Sequence, residues 1–362
     1  MRHLILRSMT VGAVATLVLG ACSSGPNDSG SAKGRTPYIG VILPDTTSSV
    51  RWENQDKPAL TAAFKAKGVR YDIQNAQGDK VKFGEIADQM LKEGVNVLVI
   101  VDLDAPSGIA VLAKARAEGV ATVDYDRLTL GGGADYYVSF DNVDVGDLQG
   151  QTLVQCLQGT PHPVVAEVNG SPTDNNATLF AQGYNSVLNL RYADGSYIKG
   201  PNMSTEGWDN KTAGKNFEKM LAQAPNINGV LVANDGMAQA VIGVLKQHHL
   251  NGKVQVTGQD ATVPGLQSVL TGDQCMTVFK DSVAEANAGA ELAIDLATGQ
   301  PAASATAMVA DTVTGKLVKS VMLTPEAIVK SNVNDVIAAG AVTKAQLCTP
   351  EYAAACAAAG IK

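Results

Sequence analysis

The side chains best able to do chemistry in this chain sit in clusters, each directly after a short run rich in Val and Ile. IGVIL (39–43) is followed by Asp45 and then Arg51-Trp52, VLVIV (97–101) by Asp102, and the run at 120–123 by Asp124-Tyr125-Asp126-Arg127. Later, Val164–Val168 leads into Asn169-Gly170-Ser171-Pro172-Thr173-Asp174-Asn175-Asn176. GVLVA (229–233) leads into Asn234-Asp235, VQVT (254–257) into Gln259-Asp260, and Met276–Phe279 into Lys280. These residue types suit a neutral, polyhydroxylated guest. Each hydroxyl both donates and accepts, so carboxylates, amides and cationic side chains must converge on it. Hydrogen bonds to charged partners contribute roughly 1.5–3 kcal/mol each, and micromolar binding needs only about −8 kcal/mol. The two tryptophans, Trp52 and Trp208, stand in polar surroundings and are suited to cover the apolar face of a ring; core packing is the alternative for either. Asp174, Asn175 and Asp235 have a second reading as helix caps.

The elements that must position these clusters alternate in type. After the first apolar run, Pro58 opens a helical pattern with Leu60, Ala63 and Phe64 on one face, followed by a weak strand at 71–74. A helix at 83–93 stops at Gly94, VLVIV is the near-continuous apolar run of a strand covered on both faces, and a helix at 109–118 precedes the strand at 120–123. The order then recurs: strand at 164–168, helix at 180–190, strand at 229–233, helix through 241–245, strand at 254–257. Strands alternating with helices predict doubly wound α/β lobes, and the repeat predicts two of them in one chain. In such sheets ligands bind beyond the carboxyl ends of the strands, where the polar clusters fall.

The chain is 362 residues long with a net charge of −7. A mildly acidic chain without basic clusters argues against nucleic acid as a partner. Residues 1–21 read as an export signal, with Arg2 and Arg7 before an apolar stretch at 11–19, and small residues precede Cys22. That arrangement predicts lipidation at Cys22 and an extracytoplasmic, membrane-anchored protein. Residues 22–37 are polar and rich in Gly and Ser, a flexible tether. Four cysteines remain, an even number in an exported chain. Cys348 and Cys356 are near neighbours in a terminal segment, which leaves Cys156 with Cys275. No cofactor or metal is expected, since His162, His248 and His249 show no ligand spacing with any cysteine.

With these features together, the sequence resembles the periplasmic sugar-binding proteins of ABC importers, and D-xylose-binding proteins in particular. The strings that carry the resemblance are Arg51-Trp52, Tyr125-Asp126-Arg127, Ser139-Phe140-Asp141-Asn142 with Val145-Gly146, Gly170-Ser171-Pro172 with Asp174-Asn175-Asn176-Ala177, Gly258-Gln259-Asp260-Ala261, and Met276-Thr277-Val278 ending in Lys280. The resemblance implies the type I binding-protein fold: two Rossmann-like lobes joined by a multi-strand hinge. The first lobe is expected over 38–141 and 281–310, the second over 142–280 and 311–362, with crossings near 140–143, 280–282 and 311–314. It also implies Arg51, Asp126 and Arg127 from the first lobe as sugar-binding residues. From the second lobe it implies Asp174, Asn176, Asn234, Asp260 and Lys280, with Trp52 and Trp208 flanking the ring. Residues 46–50 (TTSSV) depart from the charged loop expected of xylose binders.

The resemblance implies a monomer that closes on a monosaccharide, D-xylose first, and hands it to the permease and ATPase subunits of an importer. Glucose, arabinose and a pentitol are the alternatives, as is a sugar sensor docking to a membrane receptor. A glycosidase using Asp126 and Asp260 as acid and base is the enzymatic rival. It lacks a nucleophile motif, and Arg127 and Lys280 would keep both carboxylates ionised, so no enzyme is expected. A sugar-responsive repressor would need a DNA-binding helix pair where the export signal stands. Gly131-Gly132-Gly133 has neither phosphate-binding spacing.

Overall fold

The computed structural model describes residues 36–361. The expected export signal, Cys22 and the tether up to Arg35 lie outside those residues.

The chain begins with β1 (Tyr38–Leu43), all six residues buried, and a π-helical turn (Trp52–Asp56) that runs into α1 (Lys57–Ala66). Then come β2 (Arg70–Asn75), α2 (Lys80–Lys92), β3 (Val97–Ile100), α3 (Ala105–Ala117), β4 (Ala121–Tyr125) and β5 (Tyr136–Phe140). The chain crosses into α4 (Asn142–Cys156), β6 (Val164–Asn169), α5 (Asn175–Ala193), β7 (Ile198–Ser204), α6 (Asn210–Gln223) and β8 (Ile227–Val232). There follow α7 (Asp235–Gln247), β9 (Gln255–Val256), α8 (Val263–Thr271) and β10 (Thr277–Phe279). A second crossing leads to α9 (Ser282–Thr298), β11 (Ala307–Ala310) and β12 (Leu317–Leu323). The chain ends with β13 (Glu326–Ile328), α10 (Val333–Ala338), α11 (Lys344–Leu347) and α12 (Ala353–Ala358).

Two mainly parallel sheets result. The first has the order β11-β12-β5-β4-β3-β1-β2 and the second β7-β6-β8-β9, with β10 and β13 paired beside it. Strands β1, β3 and β4 carry side chains into two apolar layers, Ile42, Leu98 and Ile100 against α2 and α3, and Val41, Val99 and Val123 against α1 and α9. In the second lobe, α4 and α5 pack backbone against backbone. A Cβ at Gly146 would lie 2.0 Å from the Phe180 carbonyl oxygen, so only glycine permits the approach. Both disulfides are present: Cys156–Cys275 ties α4 to the start of β10, and Cys348–Cys356 pins the C-terminal segment. Among the described residues no helix is long and apolar enough to cross a membrane.

One boundary differs from expectation. The resemblance implies a last crossing near Asp311 and gives 311–362 to the second lobe. Instead β12 pairs in parallel with β5, Lys319 opposite Tyr136, and so completes the first sheet. The third crossing lies between Leu323 and Glu326. Asp311 instead organises the turn before β12, accepting from the backbone amides of Gly131 and Val313 and from the Thr314 hydroxyl.

Candidate functional site

In the first lobe the π-helical turn brings residues five apart over one another. Arg51, at its head, therefore meets Asp56 at its end as a two-pronged pair, Nε to Oδ2 at 2.8 Å and Nη2 to Oδ1 at 2.7 Å. The same guanidinium reaches Asp126 at 3.0 Å and Glu285 of α9 at 2.5 Å. Burial opposes the Arg51 charge, but Asp56, Glu285 and Asp126 outweigh it and hold the guanidinium protonated. Asp126 follows β4 with φ 60°, a left-handed conformation that an aspartate tolerates better than most residues. Its amide donates to the Val138 carbonyl at 2.8 Å, and one carboxylate oxygen accepts from both Arg51 and Lys280 Nζ, the latter at 2.9 Å. Burial alone would raise its pKa; Lys280, Arg51 and Arg127 reverse that and hold it well below the carboxylate range.

Arg127 bridges the lobes. Its Nη1 donates to the Asp102 carbonyl at 2.8 Å and its Nε lies 3.0 Å from Asp174 of the second lobe. Behind it, burial and then the neighbouring Asp174 push the Asp102 carboxyl up to about 7, against the pull of Arg127. Trp52 is buried beneath both arginines, with Arg51 4.6 Å and Arg127 5.8 Å from the ring centroid, and its indole N–H donates to Ser48 Oγ at 3.3 Å.

The second lobe repeats the pattern with different partners. Asp174 caps α5 through Oδ1, which accepts from the Asn176 amide at 2.9 Å, while Oδ2 accepts the Trp208 indole N–H at 3.0 Å. Cap and site residue are one and the same here. Trp208 lies flat on Gly170; a Cβ there would be 2.0 Å from the ring, so glycine is required. Asn176 donates to the Asp126 carbonyl oxygen at 2.9 Å and accepts from Asn142 at 2.9 Å. Asn234, rather than Asp235, caps α7, accepting from the Met237 amide at 2.9 Å. Asp235 is buried behind it, accepting from the Thr262 amide and Gln274 at 2.8 Å each, and burial raises its carboxyl to about 7. Asp260 matches Asp126 in position: φ 96°, amide to the Val278 carbonyl at 2.8 Å. Its carboxylate accepts from Ser49 Oγ at 3.0 Å and makes no ion pair among the described residues.

Arg51, Trp52, Asp126, Arg127, Asp174, Asn176, Trp208, Asn234, Asp260 and Lys280 all line one cleft between the lobes. Four further residues line it: Ser48, Ser49, Phe180 and Gln259. Gln259 stands beside Asp260 after VQVT, so its position was visible; its Oε1 is buried without a protein partner. Phe180 meets Trp208 edge to face at 6.4 Å and continues the aromatic wall. Ser48 and Ser49 carry no signal beyond lying in the loop before Arg51. The cleft offers spare donors on Arg127 and Lys280 and spare acceptors on Asp260 and Gln259, flanked by two indoles. It can hold a small molecule bearing several hydroxyls.

The comparisons with known proteins agree with this architecture. Residues 39–301 match the periplasmic binding protein domain family. The chain is 32% identical over 329 residues to the D-xylose-binding periplasmic protein of Escherichia coli (strain K12), covering 90% of this chain and 96% of that one. It is 31% identical to the D-xylose-binding periplasmic protein of Haemophilus influenzae, covering 85% and 91% of the two chains. A carbohydrate transporter solute-binding protein from Chloroflexus aurantiacus, solved in complex with D-glucose, superposes with a TM-score of 0.77 at 28% identity, covering 85% of this chain and 97% of that one. A family match over most of the chain, two lobes of the type I fold and a polar cleft between them give one conclusion: the chain belongs to the periplasmic binding protein family, whose members bind solutes and are not enzymes.

Proposed function

We propose that this protein is the solute-binding component of an ABC sugar importer, capturing a monosaccharide, D-xylose first among candidates, between its lobes. The observation that carries this is the composition of the cleft: two buried indoles, three buried cations and an aspartate without a cation, contributed by both lobes. Arg127, Lys280 and Arg51 supply donors to sugar oxygens, Asp260 and Gln259 accept from hydroxyls, and Trp52 and Trp208 cover the C–H faces. Names of the two relatives at about one-third identity favour D-xylose. Glucose differs from it by a carbon, arabinose by a hydroxyl orientation and a pentitol by reduction to an open chain, and all three remain in the test.

A ligand that touches both lobes shifts the population toward the closed form, the three crossings at 140–142, 279–282 and 323–326 acting as the hinge. The closed form is what the permease reads. Lipidation at Cys22 would keep the protein at the outer face of the membrane and raise its concentration beside that permease. The same binding chemistry could serve a membrane sensor; neighbouring permease and ATPase genes would favour transport.

Calorimetric titration of the soluble domain with D-xylose, D-glucose, L-arabinose and xylitol tests the reading. Saturable binding near the micromolar range is expected for at least one, weakened at least tenfold, or about 1.4 kcal/mol, by Asp260→Ala and by Arg127→Ala in folded protein. No heat with any neutral sugar or polyol would overturn it.

A further inference from the structure

The loop before Arg51 makes a set of contacts that the sugar reading does not use. Three successive residues of the first lobe each bond to the second lobe. Thr47 accepts on its carbonyl from Asn210 Nδ2 at 3.0 Å, Ser48 accepts on its carbonyl from Asn234 Nδ2 at 3.1 Å, and Ser49 Oγ donates to Asp260 Oδ2 at 3.0 Å. The partners come from three separate places: the start of α6, the cap of α7 and the turn after β9.

The loop is held in shape for this by its own lobe. Asp45 Oδ1 accepts from the amides of Thr47 and Ser48 at 2.7 and 2.6 Å, and its Oδ2 from the Ser48 hydroxyl at 2.7 Å. That hydroxyl in turn accepts the Trp52 indole N–H. On the other side, Asn234 is locked by the Met237 amide on its Oδ1, which aims its NH₂ group at the Ser48 carbonyl. Both halves of the contact are therefore pre-organised, and little entropy is lost when they meet.

We propose that Thr47, Ser48 and Ser49 form a latch that joins the lobes directly, so that the closed form is populated before any solute arrives. Each of these hydrogen bonds, at ordinary net strength, shifts the open–closed equilibrium roughly fivefold. Two of the three contacts use neutral groups on both sides, and none adds an ion pair. The latch therefore holds through screening by salt. A closed state already populated raises apparent affinity by the fraction that is competent to hold the solute. By taking one lone pair of Asp260 Oδ2, Ser49 also limits the directions from which a solute hydroxyl can reach that oxygen, which makes it a specificity-determining position as well as a closing one.

Small-angle X-ray scattering of the soluble domain without sugar tests this, comparing the wild type with Asn210→Ala combined with Ser49→Ala. Asn210 lies outside the cleft lining, so the double variant removes one contact remote from the solute and one beside it. The expected result is a larger radius of gyration for the sugar-free variant than for the sugar-free wild type, unchanged by 0.5 M salt, with any sugar affinity lowered several-fold. Ser49→Thr, which keeps the hydroxyl, should scatter like the wild type. Far-ultraviolet circular dichroism establishes that the variants fold. Identical sugar-free scattering of wild type and folded double variant would overturn the latch. The comparison needs no ligand, so it stands even if every sugar in the titration fails to bind.

Discussion

Asp126 and Asp260 hold equivalent places in the two lobes and have opposite surroundings. Each follows the fourth parallel strand of its lobe in a positive-φ conformation and gives its amide to the next strand, Val138 in one case and Val278 in the other. Asp126 is saturated by Arg51, Lys280 and Asn176. Asp260 holds one serine hydroxyl. The same backbone device thus presents one carboxylate as a counter-ion that fixes the cationic floor of the cleft and another as an acceptor with capacity to spare. Backbone strain of order 1–3 kcal/mol at each turn is retained in both lobes, as expected where geometry serves a site.

The largest effects should separate these two residues. Asp126→Ala leaves Arg51 and Lys280 buried without a shared partner, and is expected to cost about 3–5 kcal/mol of stability in urea unfolding. Asp260→Ala breaks no ion pair and should cost less than about 1 kcal/mol while losing sugar affinity. Equal destabilisation by the two would break the comparison.

Covalent ties differ between the lobes too, since both disulfides among the described residues lie in the second. Cys156–Cys275 spans 119 residues of the second lobe, and the second bridge spans 8 near the C-terminus. Replacing the first pair by alanine should cost about 2–5 kcal/mol, more than replacing the second, because a longer loop is released in the unfolded chain. Intact-mass measurement after alkylation of the soluble domain should find no free thiol.

The aromatic walls are held differently as well. Trp52 rests on arginines and Ser48, whereas Trp208 lies on bare backbone at Gly170. Gly170→Ala should displace the indole, change its fluorescence and weaken sugar binding at least tenfold with little loss of fold.

A further effect concerns a feature the lobes share. Asp102 and Asp235 follow corresponding strands, and burial raises both to about 7. An acid whose folded pKa is raised favours the folded state below its unfolded value, near 4, and that contribution is lost as pH rises through about 7. Stability should therefore fall between about pH 4 and pH 7 and level off above, and Asp235→Asn should shrink that fall. An unchanged pH slope in the variant would contradict the assignment.

What could be seen in the sequence follows from the range over which each feature is determined. The apolar runs 39–43, 97–101 and 229–233 are buried on both faces and announce themselves locally, and the polar clusters sit at their carboxyl ends. β7, by contrast, is an edge strand reading IKGPNMS, with Pro201 in its middle, and has no apolar alternation to detect. The fate of 317–323 depends on pairing with β5 far earlier in the chain, which no local pattern encodes, so the last crossing is displaced from the position expected from the resemblance. Ser48 and Ser49 carry no local signal because their contribution depends on a backbone carbonyl in a loop held by Asp45 and on one small hydroxyl, not on a side-chain type that signals chemistry.

The central claim is that a single small sugar is gripped by both lobes at once. A crystal structure of the soluble domain grown with the tightest-binding sugar tests it most directly. The account predicts one ring between Trp52 and Trp208, with hydroxyls within about 3.2 Å of Arg127 from one lobe and Asp260 from the other. A sugar bound elsewhere, or held by one lobe alone, would contradict it.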